Sequence, residues 1–94
     1  MQNSVLVDDE WYLSQYPDVA NAIGAGLFAS AEHHYILHGI REGRLPKRPV
    51  VDEIWYLRAY PDVVAAIRDG HIKSGYDHFV KYGNREGRKP SGNG

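Results

Sequence analysis

Histidine and arginine are the side chains in this sequence whose spacing could support chemistry. His34 and His38 stand four apart, and on a helix that spacing puts two imidazoles on one face within reach of a metal ion. Forty-four residues downstream the same positions hold His78 and Tyr82, so the pair is not repeated, and no carboxylate at matching spacing completes a ligand set. His34 shares its arc with Tyr35 and His38, which stays aromatic or small in both places. A partly buried, hydrogen-bonded structural histidine is the favoured reading, with metal ligation by His34 and His38 as the weaker alternative. His33 and His71 are matched by Asp77 and Leu27 and read as superficial.

Arg41-Glu42-Gly43-Arg44 recurs as Arg85-Glu86-Gly87-Arg88. Each segment brings two guanidinium groups close together, a fork geometry that suits carboxylate, phosphate or sugar hydroxyls. The same arginines could instead pair with Asp18 and Asp62, cap helix carbonyls or stack on Trp11 and Trp55. A repeated structural clasp is favoured over a binding edge. No catalytic grouping is present: Ser30 and Ser74 sit where helix caps belong, and there is no nucleophile elbow, phosphate loop or dinucleotide glycine loop. No cofactor is implied, and the chain is expected not to be an enzyme.

The elements that must position these groups come from a duplication. Sliding the 94-residue chain on itself by 44 positions aligns Trp11-Tyr12-Leu13 with Trp55-Tyr56-Leu57 and Tyr16-Pro17-Asp18-Val19 with Tyr60-Pro61-Asp62-Val63. The register runs without a gap from Val7 to Pro46 against Val51 to Pro90, with 20 identities in 40 positions. The expected organisation is a helical repeat at 7–46, a Pro-rich joint at 47–50, a second repeat at 51–90 and a flexible tail at 91–94. Pro46-Lys47-Arg48-Pro49 is short and stiff, so the units are expected to pack together as one compact domain.

Start and stop signals divide each unit into about three short helices. Asp8 and Asp52 are placed to cap the first, whose end is set by Tyr16-Pro17 and Tyr60-Pro61, because the residue before proline is pushed out of the α region. The proline then opens the second helix, where its missing N–H is harmless, and Gly26 or Gly70 stops it. Ser30 and Ser74 are N-caps for the third, with Gly39 and Gly83 expected as its left-handed C-terminal caps. The fold class is all-α.

Comparing the copies separates core from surface. Val19, Ala22 and Ile23 fall on one arc of the second helix and recur as Val63, Ala66 and Ile67, whereas Asn21/Ala65, Gly24/Arg68 and Ala25/Asp69 vary on the other side. In the first helix Tyr12, Leu13 and Tyr16 share an arc repeated in Tyr56, Leu57 and Tyr60. Trp11 and Trp55 stand at its margin and must meet another element, the other copy or a ligand.

Composition bounds the partners. Hydrophobic residues make up 43% of the chain, enough for a small core. No apolar run approaches the ~20 residues that span a bilayer, and residues 1–10 lack the pattern of a signal peptide, so a soluble protein without membrane insertion is expected. Zero cysteines leave no disulfide, thiolate metal site or cysteine nucleophile, and do not fix the compartment. Residues 1–46 hold two arginines against six acids, and residues 47–94 nine cations against six acids. Oppositely charged halves favour self-association or contact with neighbouring repeats. Nucleic acid is disfavoured by the acidic first half, although Lys47-Arg48 and Arg85, Arg88 and Lys89 form a local basic set.

The pattern Trp-Tyr-Leu-x-x-Tyr-Pro-Asp-Val, His-Tyr or His-Phe, and Gly-x-Arg-Glu-Gly-Arg resembles a bacterial helical tandem repeat found beside glycosyltransferase domains and in secreted proteins of the repeats-in-toxin type. The resemblance spans residues 7–90. It implies a cytoplasmic or envelope-associated accessory module near surface polysaccharide machinery. Carried over by position, the motif comprises Trp11, Tyr12, Tyr16, Asp18, His34, Arg41 and Arg44, with Trp55, Tyr56, Tyr60, Asp62, His78, Arg85 and Arg88. The leading expectation is a non-catalytic protein-interaction or assembly module. Its rival is carbohydrate binding, with Trp11 and Trp55 stacking on sugar rings and Arg41, Arg44, Arg85 and Arg88 gripping hydroxyls or acidic groups.

Overall fold

In a computed structural model of the chain, which describes residues 6–93, every regular element is helical. The chain divides between Arg48 and Pro49, inside the proline-flanked joint, into unit 1 (Met1–Arg48) and unit 2 (Pro49–Gly94). Residues 1–5, half of the 1–10 stretch read for a signal-peptide pattern, and Gly94 of the tail lie outside the described residues. With this boundary Lys47 and Arg48 belong to unit 1. The charge contrast therefore shrinks to four cations against six acids in unit 1 and seven against six in unit 2.

Unit 1 consists of α1 (Asp9–Gln15), α2 (Pro17–Gly24) and α3 (Ala31–His34), the last continuing into a π-helical turn, Tyr35–Gly39. Unit 2 repeats this as α4 (Glu53–Ala59), α5 (Pro61–Arg68), α6 (Gly75–His78) and the π-helical turn Phe79–Gly83. The caps read from the sequence are in place. Asp8 Oδ1 accepts from the Trp11 N–H at 3.2 Å and Asp52 Oδ1 from the Trp55 N–H at 3.1 Å, while Ser30 and Ser74 accept from the N–H groups of His33 and Asp77. Pro17 and Pro61 open α2 and α5. Gly26 and Gly70 end those helices at φ +83 and +82, as the Leu27 and His71 N–H groups reach back to the Ala22 and Ala66 carbonyls.

The third helix departs from expectation. Gly39 and Gly83 are not left-handed caps: the positive φ falls four residues later, at Gly43 and Gly87. The helix instead widens, with the Ile40 N–H donating to the Tyr35 carbonyl five residues back, and it is capped only past Gly43, where the Arg44 N–H reaches back to the Gly39 carbonyl as Leu27 does to Ala22. Unit 2 reproduces both bonds, from Asn84 to Phe79 and from Arg88 to Gly83. Glycine is needed here for space. A Cβ on Gly39 would lie 2.5 Å from the Tyr12 hydroxyl and 2.8 Å from Tyr35 Cδ1, and one on Gly83 would collide with the Tyr56 hydroxyl.

Each unit closes on itself. The Asp8 N–H donates to the Pro46 carbonyl and the Asp52 N–H to the Pro90 carbonyl, both at 3.0 Å, so the start of each repeat is tied to its end. Inside unit 1 the buried core is Val7, Tyr12, Val19 and Ala31, against which Leu13, Tyr16, Ile23 and Tyr35 pack. Inside unit 2, Tyr56, Val63, Ile72, Phe79 and Val80 are buried. Along the arcs drawn by comparing the copies, Val19 and Val63 are buried and Ala22, Ile23, Ala66 and Ile67 half-buried, whereas Asn21, Gly24, Ala25, Arg68 and Asp69 are exposed; Ala65, expected on the outer side, is half-buried.

Candidate functional site

Each repeat motif builds one connected cluster of side chains. In unit 1, α1 supplies Trp11, Tyr12 and Tyr16, the first turn of α2 supplies Asp18, α3 supplies His34, and the segment after the π-helical turn supplies Glu42 and Arg44. The proline after Tyr16 sets the geometry: it breaks the chain between α1 and α2 and leaves Asp18 in the first turn of α2.

Arg44 is the hub. Its Nη1 and Nη2 donate to the two carboxylate oxygens of Asp18 at 3.0 and 2.7 Å, and its Nε donates to Glu42 Oε1 at 2.7 Å. The guanidinium also lies 4.8 Å from the Tyr16 ring centroid, within cation–π range. Tyr16 meets Trp11 edge-on at 6.0 Å and accepts the Leu45 N–H on its hydroxyl at 3.0 Å. Unit 2 repeats the arrangement: Arg88 donates to Asp62 at 2.9 and 2.7 Å and to Glu86 at 2.8 Å, and lies 4.8 Å over Tyr60, whose hydroxyl accepts the Lys89 N–H. The side chains of Arg44 and Arg88 are only 18% and 21% exposed, while Asp18 and Asp62 are 64% and 62% exposed. The arginines are therefore the partly desolvated members of the pair, and the hydrogen bonds from them hold the Asp18 and Asp62 carboxyls below the usual carboxylate range.

The second feature is a buried Tyr–His pair. The Tyr12 hydroxyl and His34 Nδ1 are hydrogen-bonded at 3.0 Å, and the Tyr56 hydroxyl and His78 Nδ1 at 2.8 Å. His34 and His78 are 6% and 8% exposed, in keeping with the structural reading of His34. Burial, followed by the nearby arginine, lowers the affinity of both imidazoles for a second proton. Burial likewise raises the tyrosine hydroxyls, Tyr56 to about 12.

Comparisons with known protein families, with curated proteins and with solved structures find no match for the chain.

The six residues expected to bind fall three to a unit, Trp11, Arg41 and Arg44 in unit 1 and Trp55, Arg85 and Arg88 in unit 2. Arg44 and Arg88 are held by carboxylates of their own units, and Arg41 donates to the Leu37 carbonyl one turn back at 2.7 Å, whereas Arg85 is exposed. Trp11 and Trp55 are half-buried. Beside Trp55 runs part of the tail expected to be loose: a Cβ on Gly92 would come within 2.8 Å of the indole Nε1. His34 and His38 have ring centroids 5.8 Å apart, with Phe28 edge-on to both. Among the described residues no group of three or more His, Cys, Asp or Glu is arranged to hold a metal ion, and no helix is long and apolar enough to cross a membrane.

Glu42, Glu86 and the Tyr–His pairing were not foreseen. Their signal lay in the recurrence of Glu42 and of the 22-residue separation of Tyr12 from His34 in the second copy. Also unforeseen is an apolar surface: Ile36, Leu37 and Ile40 are 53%, 44% and 57% exposed.

The shifted histidines set a pH dependence. Because the folded state disfavours imidazolium, an unfolded chain binds more protons than the folded one below the ordinary His value of about 6.5. The stability contributed by neutral His34 and His78 is thus complete above that pH and is lost as pH falls through their lowered folded values. Asp18 and Asp62 give a second, lower stage, present above about 3.9 and lost as pH falls towards their folded values. Thermal melts across pH should show both stages, and replacing both histidines with glutamine should flatten only the upper one. An upper stage of unchanged slope in that variant would assign it to other groups.

Proposed function

We propose that the chain is a non-catalytic protein-interaction or assembly module, by resemblance an accessory of cell-surface polysaccharide machinery. The observation that carries this reading is the use of the repeated polar motif inside each unit. Arg44 and Arg88 are bonded to their own Asp and Glu partners, and His34 and His78 to their own tyrosines. What the motif maintains is a scaffold. Outside the motif lie exposed apolar side chains, Ile36, Leu37 and Ile40 among them, and such side chains on a small domain favour protein partners.

Carbohydrate binding is the second reading, favoured by the half-buried state of Trp11 and Trp55, which leaves part of each indole accessible beside an aromatic neighbour. Two measurements separate the readings. Immobilised chain incubated with proteins of its source at low and at high salt is expected to retain a defined partner, itself included. Glycan titration followed by tryptophan fluorescence is expected to leave the emission unchanged. Saturable glycan-dependent quenching, lost on Trp11→Ala and Trp55→Ala, would replace the interaction reading with the carbohydrate one.

A further inference from the structure

We infer that the exposed face of Ile36, Leu37 and Ile40 in unit 1 docks a second copy of this chain, through the edge of that copy's unit 2 that carries Val50 and Ile54. This rests on the interaction reading and names both its surface and its partner.

Comparison of the two repeats shows that at three of these five positions, Leu37, Ile40 and Ile54, an apolar side chain is not needed for folding, while the counterparts of Ile36 and Val50 are Val80 and Leu6. At the positions of Leu37 and Ile40, unit 2 carries Lys81 and Asn84, and Lys81 lies on the surface, paired with Asp77 at 3.2 Å. The position of Ile36 is taken by Val80, which is 4% exposed where Ile36 is 53%. Conversely, Val50 and Ile54 are 88% and 69% exposed, and unit 1 has an exposed Glu10 at the position of Ile54. The same backbone accepts a polar residue at Leu37, Ile40 and Ile54, so burial inside a unit does not account for the apolar choice. Holding such residues in water is unfavourable by the transfer free energy of their surface, which contact with another apolar surface recovers.

The occupant follows from the distribution of the faces. They lie at non-equivalent positions on different repeats, and one chain carries one of each. A contact between them is heterologous, joining copies head to tail. The signs of charge agree: unit 1 is net acidic and unit 2 slightly basic, so pairing unit 1 with unit 2 is favoured over pairing unit 1 with itself. With so few side chains on each side, the contact falls below the area of a standard stable interface, and dissociation constants of about 10 µM to 1 mM are expected.

The test uses the full chain and substitutions that its own repeats already tolerate. Face one is altered by Leu37→Lys with Ile40→Asn, and face two by Ile54→Glu, with unchanged melting curves as the folding control. In sedimentation equilibrium over about 10 µM to 1 mM, the natural chain is expected to form dimers and longer species. Each variant alone should self-associate at least about tenfold more weakly. Mixed in equal amounts, the variants should form a dimer and stop there, because each supplies the face the other lacks. A natural chain that stays monomeric throughout, or oligomers that survive both variants, overturns the inference. If such a chain still retains a different protein on immobilisation, the interaction reading stands without it, and if it retains none, both fall.

Discussion

Replacing Gly83 with alanine is expected to destabilise unit 2 by about 2 kcal/mol, although alanine is the better helix former by about 1 kcal/mol. The added methyl would occupy the space of the Tyr56 hydroxyl, with Phe79 Cδ1 and His78 Nδ1 at 3.3 and 3.4 Å on its other sides. Relief requires moving a buried ring and breaking its bond to His78. Overpacking of that kind costs about 1–3 kcal/mol, and a lost buried hydrogen bond adds about 1. The clash therefore outweighs the helix preference, and in a chain of this size the melting temperature should fall by roughly 10 °C. Tyr56→Phe removes the colliding oxygen at a loss of about 1–2 kcal/mol for the His78 bond. The double variant should be more stable than the sum of the single losses predicts, by on the order of 1 kcal/mol. Strict additivity in denaturant melts would mean that the hydroxyl does not fix the glycine. The equivalent rescue in unit 1, Tyr12→Phe with Gly39→Ala, should be weaker, because Tyr35 Cδ1 still lies 2.8 Å from the new methyl.

Arg88→Ala should lower stability by about 1–2 kcal/mol. The Asp62 carboxylate is mostly exposed, which limits the ionic part to about 1 kcal/mol and makes it salt-sensitive. The guanidinium over the Tyr60 ring adds about 0.5–1 kcal/mol. Arg88→Lys keeps the charge but not the fork that meets both Asp62 oxygens, so it should recover less than half of the loss. Asp62→Asn should remove only the ionic part. The series also separates a clasp from a ligand site, since an arginine kept for binding would be lost from the fold with little change in melting. A loss for Arg88→Ala under about 0.5 kcal/mol would reject the clasp. Arg44→Ala is expected to act alike in unit 1.

Much of the local structure was legible because it depends on neighbours in sequence. Asp8, Ser30, Asp52 and Ser74 cap backbone N–H groups three residues away, and Pro17 and Pro61 act on adjacent torsions. Gly39 and Gly83 were misread because a helix-terminal glycine looks the same in sequence whether it supplies a positive φ or an absent Cβ. Only the position of the Tyr12 and Tyr56 rings distinguishes the two. The Arg–Asp pairing was one of several partners open to each arginine, and its 26-residue span is set by how the helices pack.

By itself, then, the sequence determined that the chain is a duplicated all-helical repeat, where its helices begin, and which arcs of the second helix are buried. Capping, proline geometry and helical periodicity are short-range, and two copies of one pattern expose them. Tertiary structure decided what the repeated arginines and histidines hold, and that Ile36, Leu37 and Ile40 face water. Those outcomes depend on which distant side chains share a volume, and the helical period alone does not encode that.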